Sequence, residues 1–301
     1  MRQDSYLPLS TNQRSSSVNG TWEPDGVTFF IIQGLASLGE KKMIVFVLLL
    51  LGYIIILGGN SMIIFVVLTD SKLNSPMYFF LSNLSFVDIL FTTTTIPKML
   101  SGLLTDVNTI SVPGCFLQMY FFFQLGVTDY AILTVMAYDR YVAICNPLRY
   151  TAVMTRPVRL LLIAGAWSFA AFCTLPATSA AALLRPQCGV LILTSYILIG
   201  VSISRMGVAQ RLKAFGTCAA HLTVVSISYS SASFVYISYR VGNFSPEDRI
   251  IVSVLFSALT PFLNPMIYSL RNKELRESIR RTLSRFRPAA VLPTKDVHTV
   301  S

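Results

Sequence analysis

The chain has 301 residues, 53% of them hydrophobic and only 13% charged, with a mean hydropathy of +0.61. Soluble domains carry about 25% charged residues, so this deficit, with several apolar runs of about 20 residues, excludes an ordinary soluble domain and makes a polytopic membrane protein the expectation. The net charge of +10 does not call for nucleic acid, because the bases gather in alternate loops and the tail, and the five scattered cysteines form neither a disulfide-dense scaffold nor a CxxC zinc pair.

In chain order, residues 1–42 read as an extracellular segment. Asn19-Gly20-Thr21 within it is a glycosylation acceptor if the N-terminus is lumenal. Val27 to Leu35 is apolar but too short to span. Span one covers 43–68 and holds Asn60, which needs an internal partner in hydrocarbon. A basic turn at 70–76 leads to span two, 77–101, with Asp88 mid-span and Lys98 snorkelling outward near its end. Span three, 115–141, begins at Cys115, is aromatic from Tyr120 to Phe123, carries Asp129 and ends at Asp139-Arg140-Tyr141. Span four covers 159–184.

Span five, 189–205, is anomalous. Its apolar run of 190–203 rises only about 21 Å, against a hydrocarbon core about 30 Å thick. Lys213 to Cys218 leads past His221 into span six, 216–239, and span seven covers 248–269. Residues 272–284 read as a short basic amphipathic helix on the membrane surface, with Leu275, Ile279 and Leu283 spaced by four. Basic residues favour the inner segments roughly two to one, which sets the N-terminus outside and the C-terminus in the cytosol. The expected fold is therefore an all-α membrane protein. A seven-helix transmembrane domain spans 43–270, with a shortened fifth crossing, and 271–301 form a cytosolic amphipathic helix and tail.

Several phrases stand out against this frame. Met136 to Tyr150 reads MAYDRYVAICNPLRY, placing an acid beside an arginine where a helix meets the cytosol, a costly position unless the two serve each other or a partner. Span two opens with PMYFFLS at 76–82, and span seven closes with NPMIY at 264–268, followed by SLRNKE at 269–274. In these phrases the chain resembles the rhodopsin-like G-protein-coupled receptors and, within them, the odorant (olfactory) receptors. The resemblance covers nearly the whole chain. It departs at Asn74, where the family usually has His, and at Ser228 and Ser230, where Phe and Gly usually flank the tyrosine matched by Tyr229. Several tens of residues of outer loop are also absent after Gln187-Cys188-Gly189.

The resemblance implies a plasma-membrane receptor that binds a small, mostly apolar volatile molecule in the outer half of the bundle. It implies activation of a stimulatory heterotrimeric G protein, and so the cyclic AMP pathway. Arg140 is then held by Asp139 when silent and released toward the G protein, with Tyr141 completing the motif and Tyr196 and Tyr268 receiving the arginine. Asn264 and Pro265 permit a kink. The ligand residues are expected to be Phe122, Phe123, Gly126 and Val127 on span three and Tyr229, Ala232, Ser233 and Tyr236 on span six, at helical spacing. Such an aromatic stripe also serves plain helix packing.

Asp88 and Asp129, with Asn60 and Asn264 at similar depth, are expected to hold Na+ or share a proton, since two close carboxylates do not both ionise without a cation. A hydrogen-bonded polar cluster that fixes packing is the other reading, and Na+ is the only cofactor considered. Cys115 normally pairs with a cysteine of the missing loop, and Cys188 is its candidate substitute. No nucleophile elbow, phosphate loop or HExxH run is present, so no enzyme is expected. Two rivals stay open. One is a receptor-like deletion product that does not signal. The other is an ion-coupled transporter or channel built on the Asp88/Asp129 pair, which predicts repeated halves that the sequence does not display.

Overall fold

The computed structural model describes residues 29–31, 42–105, 109–174, 192–194, 196–201, 204, 208–241 and 246–285. Among these, six helices are long and apolar enough to cross a bilayer. They lie within α1 (Lys42–Thr69), α2 (Pro76–Thr105), α3 (Val112–Cys145), α5 (Arg156–Thr174), α7 (Val208–Val241) and α8 (Pro246–Arg271). Three further helices are short. α4 (Tyr150–Val153) is one turn after α3, and α6 (Ile192–Val201) is an apolar helix before α7. α9 (Lys273–Arg285) follows α8 across the single residue Asn272. With α6 counted, the chain forms the seven-helix bundle expected. The ten residues of α6 rise only about 15 Å, and residues on both sides of it lie outside the described ones. Span four is expected to reach 184; α5 is described to Thr174, and 175–191 lie outside the described residues.

The bundle buries a different kind of surface from that of a soluble protein. α1 buries Ile56, Asn60, Ile63 and Val66, a single stripe at helical spacing, while Ile44, Leu48, Ile55 and Leu68 stay exposed. The exposed apolar face is the one that meets lipid. α2 packs on α1 and α3, α3 on α5 and α7, and α8 on α7 and α1. The main core runs through Phe80, Leu84 and Val87 of α2, Ile132, Leu133 and Met136 of α3, Val224 of α7 and Tyr268 of α8. α1 and α8 approach closely at Gly59, where a Cβ would lie 3.0 Å from Pro265 Cβ and Cγ, so only glycine fits without a shift.

The helix ends follow capping rules. The Ser111 side chain accepts from Gly114 N at 3.2 Å, with Pro113 in the first turn of α3. Asn272 Oδ1 accepts from Leu275 N at 3.1 Å and so caps α9. α9 is then fixed to the inner end of the bundle. Its Leu275 is fully buried, Tyr78 OH donates to Glu274 Oε2 at 2.8 Å, and Arg281 Nη2 donates to Asp70 Oδ2 at 2.6 Å. Of the expected apolar stripe, Leu275 and Ile279 pack on the core, while Leu283 is 50% exposed. At the outer end, β1 (Phe29–Ile31) pairs antiparallel with β2 (Thr109–Ser111), Phe30 opposite Ile110. This strand pair uses part of the apolar run 27–35 and has no signal in helical spacing.

Candidate functional site

At the inner end of α3, Asp139 is fully buried and Arg140 is 8% exposed. Arg140 Nε donates to Asp139 Oδ2 at 2.9 Å, and its Nη2 donates to the same oxygen. The other carboxylate oxygen, Oδ1, accepts from Tyr150 OH of α4 at 2.8 Å. Burial, with the Asp139 carboxylate beside it, pushes the Tyr150 phenol up, so it stays a donor. The pair satisfies its own charge in a site that would penalise either partner alone. Tyr141 points elsewhere, into a small cluster with Ile199, Cys218 and Leu222 that ties α3 to α6 and α7.

Tyr196 joins this region through His221. Its hydroxyl bonds His221 Nδ1 and its ring stacks on the imidazole at 5.7 Å. His221 Nε2 lies 3.1 Å from the Leu133 carbonyl oxygen. A carbonyl only accepts, so Nε2 carries the proton, and Nδ1 accepts from Tyr196. The wholly buried His221 thus connects α3, α6 and α7 in one chain of hydrogen bonds. Its signal in the sequence is an ionisable residue inside an apolar span, the same signal that marks Asp88. Tyr268 is 2% exposed, and its hydroxyl has no hydrogen-bond partner among the described residues.

A polar layer lies further out. Asn264 Nδ2 donates to Asp88 Oδ2 at 2.7 Å. Asn60 Nδ2 donates to the carbonyls of Ile56 and Pro261, both at 3.0 Å. The second bond follows from Pro265, which has no N–H to offer the carbonyl four residues earlier. Asn60 of α1 supplies that donor and so satisfies the carbonyl that Pro265 leaves free. Four buried oxygens here have no partner among the described residues: Asn60 Oδ1, Ser85 Oγ, Asp129 Oδ1 and Asn264 Oδ1.

Above this layer a cavity of about 510 Å3 opens between α2, α3, α7 and α8. Asp88 and Asp129 line it together, and their carboxyl groups interact electrostatically. Phe122, Phe123, Gly126, Ala232 and Tyr236 line it as expected. A second cavity of about 460 Å3 shares Phe91, Phe122 and Phe123 with the first and reaches outward to Lys98 and Cys115. Phe91 stacks on Phe122 with centroids 4.9 Å apart. Lys98 Nζ donates to the Thr109 carbonyl at 2.7 Å.

Three expected ligand residues do not line either cavity. Val127 packs against Ala170 of α5. Tyr229 turns its ring onto Tyr130, at 5.0 Å, and Ser233 is exposed. The lining face of α7 is instead Ser228, Ser231, Ala232, Val235 and Tyr236, with Ser228 Oγ donating to Thr260 Oγ1 at 3.3 Å. The expected face is one residue out of register. Ser228 and Ser231 are buried on this face, while Ser230 and Ser233 of the same helix are exposed. Phe91 and Phe256 of the first cavity and Thr92 of the second are further lining residues that the sequence did not single out. Cys115 carries a free thiol, while Cys188 and the glycosylation candidate Asn19 lie outside the described residues.

The backbone is similar to a crystal structure of squid rhodopsin, with a TM-score of 0.68 over 80% of this chain and 81% of that one, at 18% identity. The fold is that of the rhodopsin-like G-protein-coupled receptors. A family model described as olfactory receptor matches residues 49–185 and 187–285. Human olfactory receptor 5AN1 is 37% identical, covering 86% of this chain and 96% of its own length, and human olfactory receptor 13D1 is 39% identical over 86% of each. This chain belongs to the olfactory receptor family. It is a multi-pass plasma-membrane receptor rather than an enzyme. The alignment with 5AN1 runs over 300 positions but uses only 86% of this chain, so the relative carries residues missing here. The family match comes in two pieces, 49–185 and 187–285, and so breaks just before Gln187-Cys188-Gly189, after which the loop residues are expected to be missing.

Proposed function

We propose that this receptor binds a small, mostly apolar volatile molecule in the cavity between α2, α3, α7 and α8, and activates a stimulatory G protein and cyclic AMP synthesis. The observation that carries this reading is the 510 Å3 cavity, with aromatic walls from α3 and hydroxyls from α7 and α8. Ligand sites of this kind are concave, mostly apolar and fitted with a few orienting polar groups. Tyr130, one of the lining residues, donates to the Ser228 carbonyl at 3.2 Å, which joins α3 to α7 at the cavity wall. A ligand that favours one arrangement of these helices shifts the population of the switch below. That switch is the Asp139–Arg140–Tyr150 cluster, with Tyr196, Asn264, Pro265 and Tyr268 as the elements it moves against.

Within the polar layer we propose Na+, or a proton shared by Asp88 and Asp129. The residues fit the cation: hard ions take oxygen ligands, and the unpartnered oxygens of Asn60, Ser85, Asn264 and Asp129 itself are of that type. Na+ there would neutralise the acids and hold α1, α2, α3 and α8 in one arrangement. Signalling that ignored Na+ and survived Asp129→Asn unchanged would rule out the cation.

The residues that its relatives carry and this chain lacks favour a second reading, a receptor-like product that inserts without signalling. Cells expressing this chain beside a version with the outer loop restored, challenged with a volatile panel and read by cyclic AMP, separate the two. A ligand-dependent rise with the chain as it stands supports the first. A rise only with the restored loop supports the second.

A further inference from the structure

A third cavity, of about 320 Å3, lies at the opposite end of the molecule from the ligand site, between the end of α1, the turn after it and α9. Its wall changes character from one side to the other. Phe65 of α1 is 46% exposed on the lipid side, while Ser71, Thr282, Arg281 and Arg285 form the other side. Of the two guanidiniums, Arg281 is neutralised by Asp70 at 2.6 Å. Arg285 lines the same cavity, is exposed, and has no ion-pair partner among the described residues. The cavity thus presents one uncompensated positive charge, hydroxyl groups and an aromatic edge, at the level where α1 leaves the bilayer.

α9 as a whole reinforces this polarity. It carries Lys273, Arg276, Arg280, Arg281 and Arg285 against Glu274 and Glu277. Glu274 is engaged by Tyr78 OH, and Glu277 lies 3.9 Å from Lys273. Arginine forks match phosphate oxygens in geometry as well as charge. The basic count places this end in the cytosol, where the leaflet surface is anionic and attracts juxtamembrane bases.

We propose that this cavity is a binding site for the phosphate headgroup of an anionic phospholipid of the inner leaflet, with Arg285 as its principal ligand and Phe65 against the start of the acyl chain. A zwitterionic lipid would bring its own cation to the same place and bind less well. The bound lipid would brace α9 against α1 beside the Asp70–Arg281 pair.

The test uses the full chain, purified and placed in nanodiscs of phosphatidylcholine alone or with phosphatidylserine. Retained lipid is counted by native mass spectrometry. Loss of any one basic residue near a charged surface weakens lipid attraction by about 1 kcal/mol, or about fivefold. Arg276, exposed on α9 but outside the cavity, is therefore the control. The proposal predicts selective retention of phosphatidylserine, lowered at least about tenfold by Arg285→Gln, no more than about fivefold by Arg276→Gln, and restored only in part by Arg285→Lys, which keeps the charge but not the fork. Equal losses in the two Gln variants would mean diffuse attraction and overturn the site. Retention without preference for phosphatidylserine would overturn it too. Displacement of the lipid by inorganic phosphate would assign the cavity to a free anion instead.

Discussion

The Asp139 carboxylate divides its oxygens between two jobs. Oδ2 holds Arg140, and Oδ1 accepts from Tyr150. The motif at 136–150 made the first job legible, because an acid and an arginine at a membrane boundary have few other ways to be satisfied. The second depends on where α4 folds back, which spacing does not encode. Arg140→Ala should abolish cyclic AMP signalling per surface receptor, and lower surface expression because it leaves the buried Asp139 carboxylate without its cation, checked by reporter and surface labelling together. Tyr150→Phe removes one hydrogen bond to a charged group, an interaction of about 1.5 kcal/mol. It should raise ligand-independent signalling, by up to about tenfold if the whole bond is lost in the silent state. Basal cyclic AMP per surface receptor measures this. In the cavity, a Cβ on Gly126 would sit 3.6 Å from Phe91, an ordinary contact. Gly126→Ala should therefore keep the ligand response, and Gly126→Phe should fill the cavity and suppress it without altering basal signal.

The helices themselves were largely legible, because about 20 apolar residues have one stable arrangement in lipid. Which face of a helix looks inward was less so. On α3, Phe122, Phe123 and Gly126 line the cavity with Asp129, whereas Val127 packs on Ala170 of α5. On α7 the choice was drawn to Tyr229, whose ring packs on Tyr130, whereas Ser228 and Ser231 carry the lining face. The β1–β2 pairing joins residues about 80 positions apart and has no local signal. Two predictions belong to this scale. Asn60→Ala leaves the Pro261 carbonyl without its donor, and should destabilise the α1–α8 contact by about 1 kcal/mol, typical of a hydrogen bond between membrane helices. A thermal melt of the purified receptor reads the loss. The second concerns Asp70, whose carboxyl is held below its ordinary range by the Ser278 hydrogen bond, then the Lys72 backbone N–H and Arg281. Its folded value is the lower one, so its contribution is complete above the unfolded value and disappears as pH falls through the folded value. Protection of the 273–285 amides, measured against their intrinsic exchange rates, should hold at neutral pH and fall only in acid, and Asp70→Asn should remove that pH dependence of protection.

At the scale of the whole molecule, the bundle is familiar in every part but one. The fifth crossing is described only over the apolar α6, Ile192–Val201, and the relatives carry residues that this chain lacks. A short helix is accommodated by local thinning of the bilayer and by snorkelling of its flanks. The bonds from Tyr196 through His221 to Leu133 give α6 its own reason to stay docked at the inner end. The C-terminus should therefore be reached by antibody only after the cells are permeabilised. The central claim, that Arg140 in this bundle is a working switch, is tested most directly by the cyclic AMP response of cells carrying this chain beside cells carrying Arg140→Ala, at matched surface level, over a volatile panel. The account predicts a ligand-dependent rise in the first and none in the second. An equal rise in both, or silence in both, would contradict it.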